Sequence, residues 1–113
     1  MKIITWNINS RTNEETLKGQ SDFLKSGDFD LITLQEVTLN SEGFFKESFK
    51  DMYILSSFDL VSDKSILVKN RKYGQLIISK KPIKFVPDPC TEIPFPERVL
   101  SGFIETFGLE IHT

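Results

Sequence analysis

The chain opens on a short apolar alternation. Lys2 to Asn7 predicts a first strand, with Ile3, Ile4 and Trp6 as its apolar content. Asn7-Ile8-Asn9-Ser10 breaks that pattern with amides and a serine. Thr12-Asn13-Glu14-Glu15 then has the form of a capping box, with Thr12 as N-cap and Glu15 at the third helical position. A helix over residues 13–26 follows, and Thr16, Leu17, Gln20, Phe23 and Leu24 recur at helical spacing as its buried face. Gly27 suits a left-handed closing residue. In Asp30-Leu31-Ile32-Thr33-Leu34-Gln35-Glu36, the apolar residues fit a strand buried on both faces, and Gln35-Glu36 ends the run. Strand, helix and strand in this order read as a βαβ unit. The two strands should therefore be parallel, with their C-terminal ends on one edge.

Downstream the pattern alternates between clear and obscure. Phe44, Phe45 and Phe49 at helical spacing predict a short helix over 40–50, and Tyr53-Ile54-Leu55 centres a strand over 51–57. Residues 58–75 carry no clear period. Leu76-Ile77-Ile78-Ser79 is a strand, opened by Tyr73-Gly74 and closed by Lys80-Lys81-Pro82. Pro87, Pro89, Pro94 and Pro96 exclude regular structure over 86–97. Residues 99–107 alternate loosely, Phe107-Gly108 signals a turn, and Leu109-Glu110-Ile111 starts another strand, so the two runs predict a hairpin.

A length of 113 residues allows one small domain and one core. Ten phenylalanines make that core aromatic-heavy. The net charge of −2 hides an uneven distribution. Residues 1–63 hold six Lys/Arg against eleven Asp/Glu, residues 64–84 hold seven Lys/Arg and no acid, and residues 85–113 hold one Arg against five acids. The basic block is either a phosphate-facing surface or a solvated strand edge kept soluble by lysine. Cys90 is the only cysteine, which excludes an intramolecular disulfide, and no Cys/His cluster suggests zinc. No apolar run is long enough to span a membrane, and the N-terminus lacks a signal-peptide shape, so no membrane partner and a cytoplasmic setting are expected.

The candidate chemistry gathers at the shared strand edge. Glu36 is either the first solvated residue after a core strand or an acid at the mouth of the sheet, where a hard cation such as Mg²⁺ can be held. In an extended chain Asn7 and Asn9 lie on one face and can orient a phosphate oxygen or a metal-bound water; alternatively they form a polar turn. Parallel pairing brings both amides to the same side of the sheet as Glu36.

Three runs of the chain resemble the N-terminal half of the endonuclease/exonuclease/phosphatase superfamily. They are Thr5-Trp6-Asn7-Ile8-Asn9, Asp30 to Glu36 with its Leu-Gln-Glu tripeptide, and Tyr73-Gly74-Gln75-Leu76-Ile77-Ile78-Ser79-Lys80-Lys81-Pro82-Ile83. Pro96-Glu97-Arg98-Val99-Leu100 is similar to the Arg-containing strand start of many members. Exonuclease III, abasic-site endonucleases, tyrosyl-DNA phosphodiesterases and inositol-phosphate phosphatases belong to that superfamily, and the first two are the nearest in kind to these motifs. The resemblance implies an α/β fold: one partial domain over 1–113, the N-terminal half of a four-layered α/β sandwich, apparently truncated, with one mixed sheet and helices on one face.

It further implies that Glu36 binds the catalytic Mg²⁺ (Mn²⁺ substituting), that Asn7 belongs to the catalytic site, and that Asn9 falls near the metal. Arg71, Lys72, Tyr73 and Arg98 become candidates for substrate contact, and Lys64, Lys69 and Lys80 add positive charge for a polyanion. Ser10 departs from the glycine found there in many members. The Asp-x-Asn motif and terminal Asp-His pair of the family's second half have no counterpart, and His112 is read as a strand or chain-end residue. The expected function is the metal-binding half of a Mg²⁺-dependent phosphoesterase acting on nucleic acid or another phosphate ester. The alternative is a non-catalytic, self-associating or partner-binding module, a homo-oligomer formed through an uncovered sheet face.

Overall fold

The computed structural model describes residues 1–60, 73–86 and 100–113. The elements run β1 (Ile3–Asn7), α1 (Glu14–Ser26), β2 (Leu31–Val37), α2 (Leu39–Ser48), β3 (Tyr53–Ser56), a 3₁₀ turn (Ser57–Leu60), β4 (Gly74–Ser79), β5 (Lys84–Phe85), β6 (Ser101–Ile104), a second 3₁₀ turn (Glu105–Phe107) and β7 (Leu109–His112). The first four strands form a mixed sheet in the order β1-β2-β4-β3. β1 and β2 are parallel, with Asn7 opposite Gln35, while β4 runs antiparallel to both β2 and β3. The expected βαβ unit is therefore present.

The first helix starts one residue later than its capping box suggests. Asn13, in an extended conformation, is the N-cap, and its Oδ1 accepts the Thr16 N–H at 3.1 Å. Asparagine caps as well as threonine, so either residue satisfies an orphan donor. Of the predicted face, Leu17 and Leu24 are buried and Ser21 joins them, whereas Thr16 and Phe23 are exposed. Phe23 instead meets Trp6 edge-on at 5.4 Å between ring centroids. Gly27 is right-handed, and Asp28 at φ 50° takes the left-handed position. Glycine at 27 leaves room for the Phe29 ring, which a Cβ there would displace.

One face of the large sheet carries both helices. Ile32, Leu34, Leu76 and Ile78 pack there with Leu17, Leu24, Phe45, Phe49 and Phe58. The opposite face was expected to be bare. Instead, β5, β6 and β7 form a second, antiparallel sheet, and Leu31 and Ile77 of the large sheet close a second core with Leu100 and Ile104. Leu31 and Ile77 are each at most 1% exposed, so the centre of that face is covered within the chain. Only its edges remain open, with Ile3 and Tyr53 about half exposed. The premise for self-association through an uncovered face is corrected accordingly: hydrophobic burial is already met by the hairpin β6–β7, whose existence the sequence predicted. Among the described residues no helix is long and apolar enough to cross a membrane.

Candidate functional site at the mouth of the sheet

Strand alternation alone would put Glu36 in the wrong place. On β2, Ile32 and Leu34 face the helices, while Leu31 faces the second sheet with Thr33 and Gln35 in the same phase. Strict continuation would turn position 36 into the helix-side core and position 37 away from it. The structure inserts a bulge instead. Leu34 pairs with Leu76 and Val37 pairs with Gly74, so β2 spends two residues, Gln35 and Glu36, where β4 spends one. Val37 consequently returns to the helix-side core, fully buried. Glu36 is the extra residue, at φ 55°, and remains half-buried.

The loop after β1 is bound to this bulge. Ile8 donates its N–H to the Gln35 carbonyl at 3.1 Å, and Ser10 donates to the Glu36 carbonyl at 3.0 Å. Asn9 and Ser10 are themselves left-handed, at φ 57° and 55°. The chain thus leaves the strand after Asn7, and the extended geometry expected to align Asn7 with Asn9 does not hold. Asn7 Oδ1 accepts the Asn9 N–H at 2.9 Å, which is the polar-turn arrangement. Parallel pairing still sets Asn7 opposite Gln35, and the loop that carries Asn9 is bonded to the bulge through Ile8 and Ser10.

Beyond the bulge, Thr38 caps α2 at once, and its side chain and that of Ser41 satisfy each other's backbone N–H groups. On the other side, Gly74 is fixed by crowding: a Cβ there would lie 2.6 Å from the Phe58 ring and 2.9 Å from Ser57 Oγ. The Gln75 N–H donates to that same Ser57 oxygen at 2.8 Å. Gln35, Glu36, Tyr73, Gly74 and Gln75 together line an open cavity of about 180 Å³. Tyr73 and Glu36, two residues singled out in the sequence, therefore share one concavity.

Gln35 and Gln75, which sequence reasoning passed over, are part of the same wall. Gln35 Nε2 lies 3.0 Å from Thr5 Oγ1, 3.2 Å from Thr33 Oγ1 and 3.3 Å from Thr113 Oγ1. Thr113 Oγ1 in turn donates to Gln75 Oε1 at 2.6 Å. The available signal was the phase of β2: Thr33 and Gln35 are polar at alternate positions of a strand otherwise filled with aliphatic residues.

Other candidates fall elsewhere. Arg71, Lys72 and Arg98, with Lys64 and Lys69, lie outside the described residues. Lys80 sits at the opposite end of the sheet from Glu36, following the Leu31–Ser79 pair. There it binds Asp28 at 2.7 Å and Asp30 at 3.7 Å, so the positive charge expected to attract a polyanion is engaged in ion pairs. The Lys2 backbone N–H, and then the Lys80 charge, hold the Asp30 carboxyl below its ordinary value, while Asp28 and Asp30 raise Lys80. His112 is a β7 residue whose Nδ1 lies 2.7 Å from buried Ser101 Oγ.

Among the described residues no three His, Cys, Asp or Glu side chains stand close enough to hold a metal. Among the described residues, the donors lining the cavity are the Glu36 carboxylate, the Gln35 and Gln75 amides and the Tyr73 phenol. That all-oxygen set fits a weakly held hard cation completed by water or by substrate oxygens, and does not fit zinc.

Two sheets packed face to face, with helices outside the larger and a carboxylate displaced from the core at its mouth, define an α/β sandwich domain with a candidate hard-cation site. Residues 4–111 match the Endonuclease/Exonuclease/phosphatase family, and the chain belongs to it. Its fold is similar to that of a humanized TDP2 from D. rerio carrying 14 mutations, at a TM-score of 0.59 and 17% identity. That likeness covers 99% of this chain and 44% of that one, so the chain spans under half the length of this structural neighbour. No curated protein matches the chain.

Proposed function

We propose that this chain carries the metal-binding part of a Mg²⁺-dependent phosphoesterase site, with Glu36 as the protein's ligand. The observation that supports it is the bulge at Gln35–Glu36, which removes a carboxylate from the phase of an apolar core face and sets it in an open cavity. A residue held at a positive φ costs on the order of 1–3 kcal/mol, and such strain clusters at functional sites. When bound, Mg²⁺ supplies charge neutralisation at a phosphoryl oxygen and a more acidic water.

The chain's own residues bind and orient. Glu36 offers an anionic oxygen. Asn7 at the end of β1 and Asn9 on the loop after it offer amides, and Tyr73 offers a phenolic donor in the same cavity as Glu36. Nucleic acid is the favoured substrate over a small phosphate ester, because the stretch 64–84, with seven Lys/Arg and no acid, includes the cavity residues Tyr73, Gly74 and Gln75. Arg71, Lys72 and Arg98 are retained as substrate contacts on sequence grounds, and a cytoplasmic setting goes with them.

Amide chemical-shift mapping with Mg²⁺ tests the site. Shifts are expected at Gln35–Val37, Asn9–Ser10 and Tyr73–Gln75, and are expected to vanish in Glu36→Gln. Shifts that persist in that variant, or that gather at Asp28 and Asp30 instead, overturn the assignment.

A second reading is a non-catalytic module on the same fold. It is favoured by one observation: among the described residues no three potential metal ligands gather at the mouth. Cation binding separates the two: Mg²⁺-dependent shifts that vanish in Glu36→Gln support the metal site, and their absence from the wild type supports the module. Little or no turnover is expected of the purified 1–113 chain under either reading. Robust Mg²⁺-dependent cleavage would assign a complete site to this chain.

A further inference from the structure

We infer that Gln35 is a positioning residue for Glu36: its side-chain amide, tied to both sheets, fixes the bulge that presents the carboxylate. The inference rests on the reading of Glu36 as a cation ligand. Gln35 immediately precedes the left-handed residue and its Nε2 stands within 3.3 Å of three hydroxyls from separate segments: Thr5 on β1, Thr33 on β2 and Thr113 after β7. An amide nitrogen has two hydrogens, so at most two of the three hydroxyls are served at once. Thr113 relays one of these bonds onward to Gln75 Oε1 on β4.

The chain of bonds therefore joins β1, β2 and β4 of the large sheet to the end of the small sheet, at the rim of the Glu36 cavity. Backbone bonds act from the other side, since the Gln35 and Glu36 carbonyls both accept from the loop after β1. A strained conformation persists only where its surroundings over-determine it. Here Gln35 is held at its side chain, and the backbone carbonyls on both sides of the Glu36 Cα are bonded. One of the three partners, Thr113, lies across the sheet interface, so a loss of register between the two sheets is transmitted through it to the carboxylate.

Mn²⁺ titration followed by electron paramagnetic resonance tests this on three variants beside the wild type. Gln35→Met keeps the length of the side chain and removes the amide. Thr113→Val keeps the shape of the relay residue and removes its hydroxyl, away from the cavity floor. Glu36→Gln is the reference for loss of the ligand itself. Partners that orient a ligand typically cost about 10–100-fold in metal affinity when removed. Gln35→Met is expected to weaken Mn²⁺ about tenfold, and Thr113→Val to weaken it in the same direction by less, with Glu36 intact in both.

Wild-type affinity in a folded Gln35→Met, with binding abolished in Glu36→Gln, overturns the positioning role and leaves the ligand assignment standing. Undiminished binding in Glu36→Gln overturns both. Should Gln35→Met fail to fold, Thr113→Val decides alone: an unchanged affinity in it removes the relay and the inference with it. Line shape gives a readout apart from affinity, because a less fixed carboxylate broadens the Mn²⁺ spectrum where a merely destabilised fold does not.

Discussion

Ser10 donates its backbone N–H to the carbonyl of Glu36 at 3.0 Å, and both residues stand in the left-handed region, at φ 55° each. Two non-glycine residues in that conformation, bonded to one another, tie the loop after β1 to the bulge on β2. With Asn9 also left-handed at φ 57°, three of the four such non-glycine residues described cluster where the loop meets the bulge.

Ser10→Gly should stabilise the protein. A left-handed L-residue costs roughly 1–2 kcal/mol, and glycine's extra freedom in the unfolded chain returns about 0.4–1 kcal/mol of that. The expected net gain is somewhat under ~1 kcal/mol, read as a higher urea midpoint at unchanged slope. A loss of stability would show that the Ser10 side chain does more than tolerate the turn.

Gly74→Ala should destabilise it. The new methyl would lie 2.6 Å from the Phe58 ring and 2.9 Å from Ser57 Oγ, both fully buried. Overpacking of this kind costs about 1–3 kcal/mol. Because Gly74 pairs with Val37 and so closes the bulge, the same variant should also weaken cation binding. Unchanged thermal unfolding would mean that the 3₁₀ turn under Gly74 yields freely.

Acid should erode the ion pairs at the far end of the sheet. The Asp30 carboxyl is held low by the Lys2 N–H and by Lys80, so its contribution is complete above the unfolded value near pH 3.9. It is lost as pH falls from there through the depressed folded value. Lys80 is raised, so its contribution is present below its unfolded value near 10.4 and lost as pH rises through the folded one. The gap in unfolding midpoint between the wild type and Asp30→Asn should therefore exist near neutral pH and close in acid. A gap independent of pH would assign the effect to packing.

Much of this fold was legible in alternation and helical spacing. β1, α1, β2, the strand at Leu76–Ser79 and the hairpin of β6 and β7 all follow from local pattern. What was not legible is set by long-range contact. The bulge leaves no mark on periodicity, because Gln35 and Glu36 read as the polar end of an apolar run. The second sheet covers Leu31 and Ile77 through residues distant in sequence, so the same aliphatic side chains predicted a bare face. Asn13 took the cap from Thr12 because both residue types can serve. Lys80 belonged to a basic block along the chain, but antiparallel pairing carried it to the end of the sheet opposite Glu36. The Leu-Gln-Glu tripeptide drew attention to its acid; the glutamine became visible only once Thr113 and Gln75 were seen beside it.

Whether Glu36 holds a divalent cation is tested most directly by counting Mn²⁺ bound per chain in the wild type and in Glu36→Gln under identical conditions. A single protein carboxylate completed by water implies a dissociation constant on the order of 1 mM for the wild type. One weak site in the wild type and none in Glu36→Gln is the expected result. Equal occupancy in the two proteins would contradict it, and would leave the bulge at Gln35–Glu36 without the role assigned to it here.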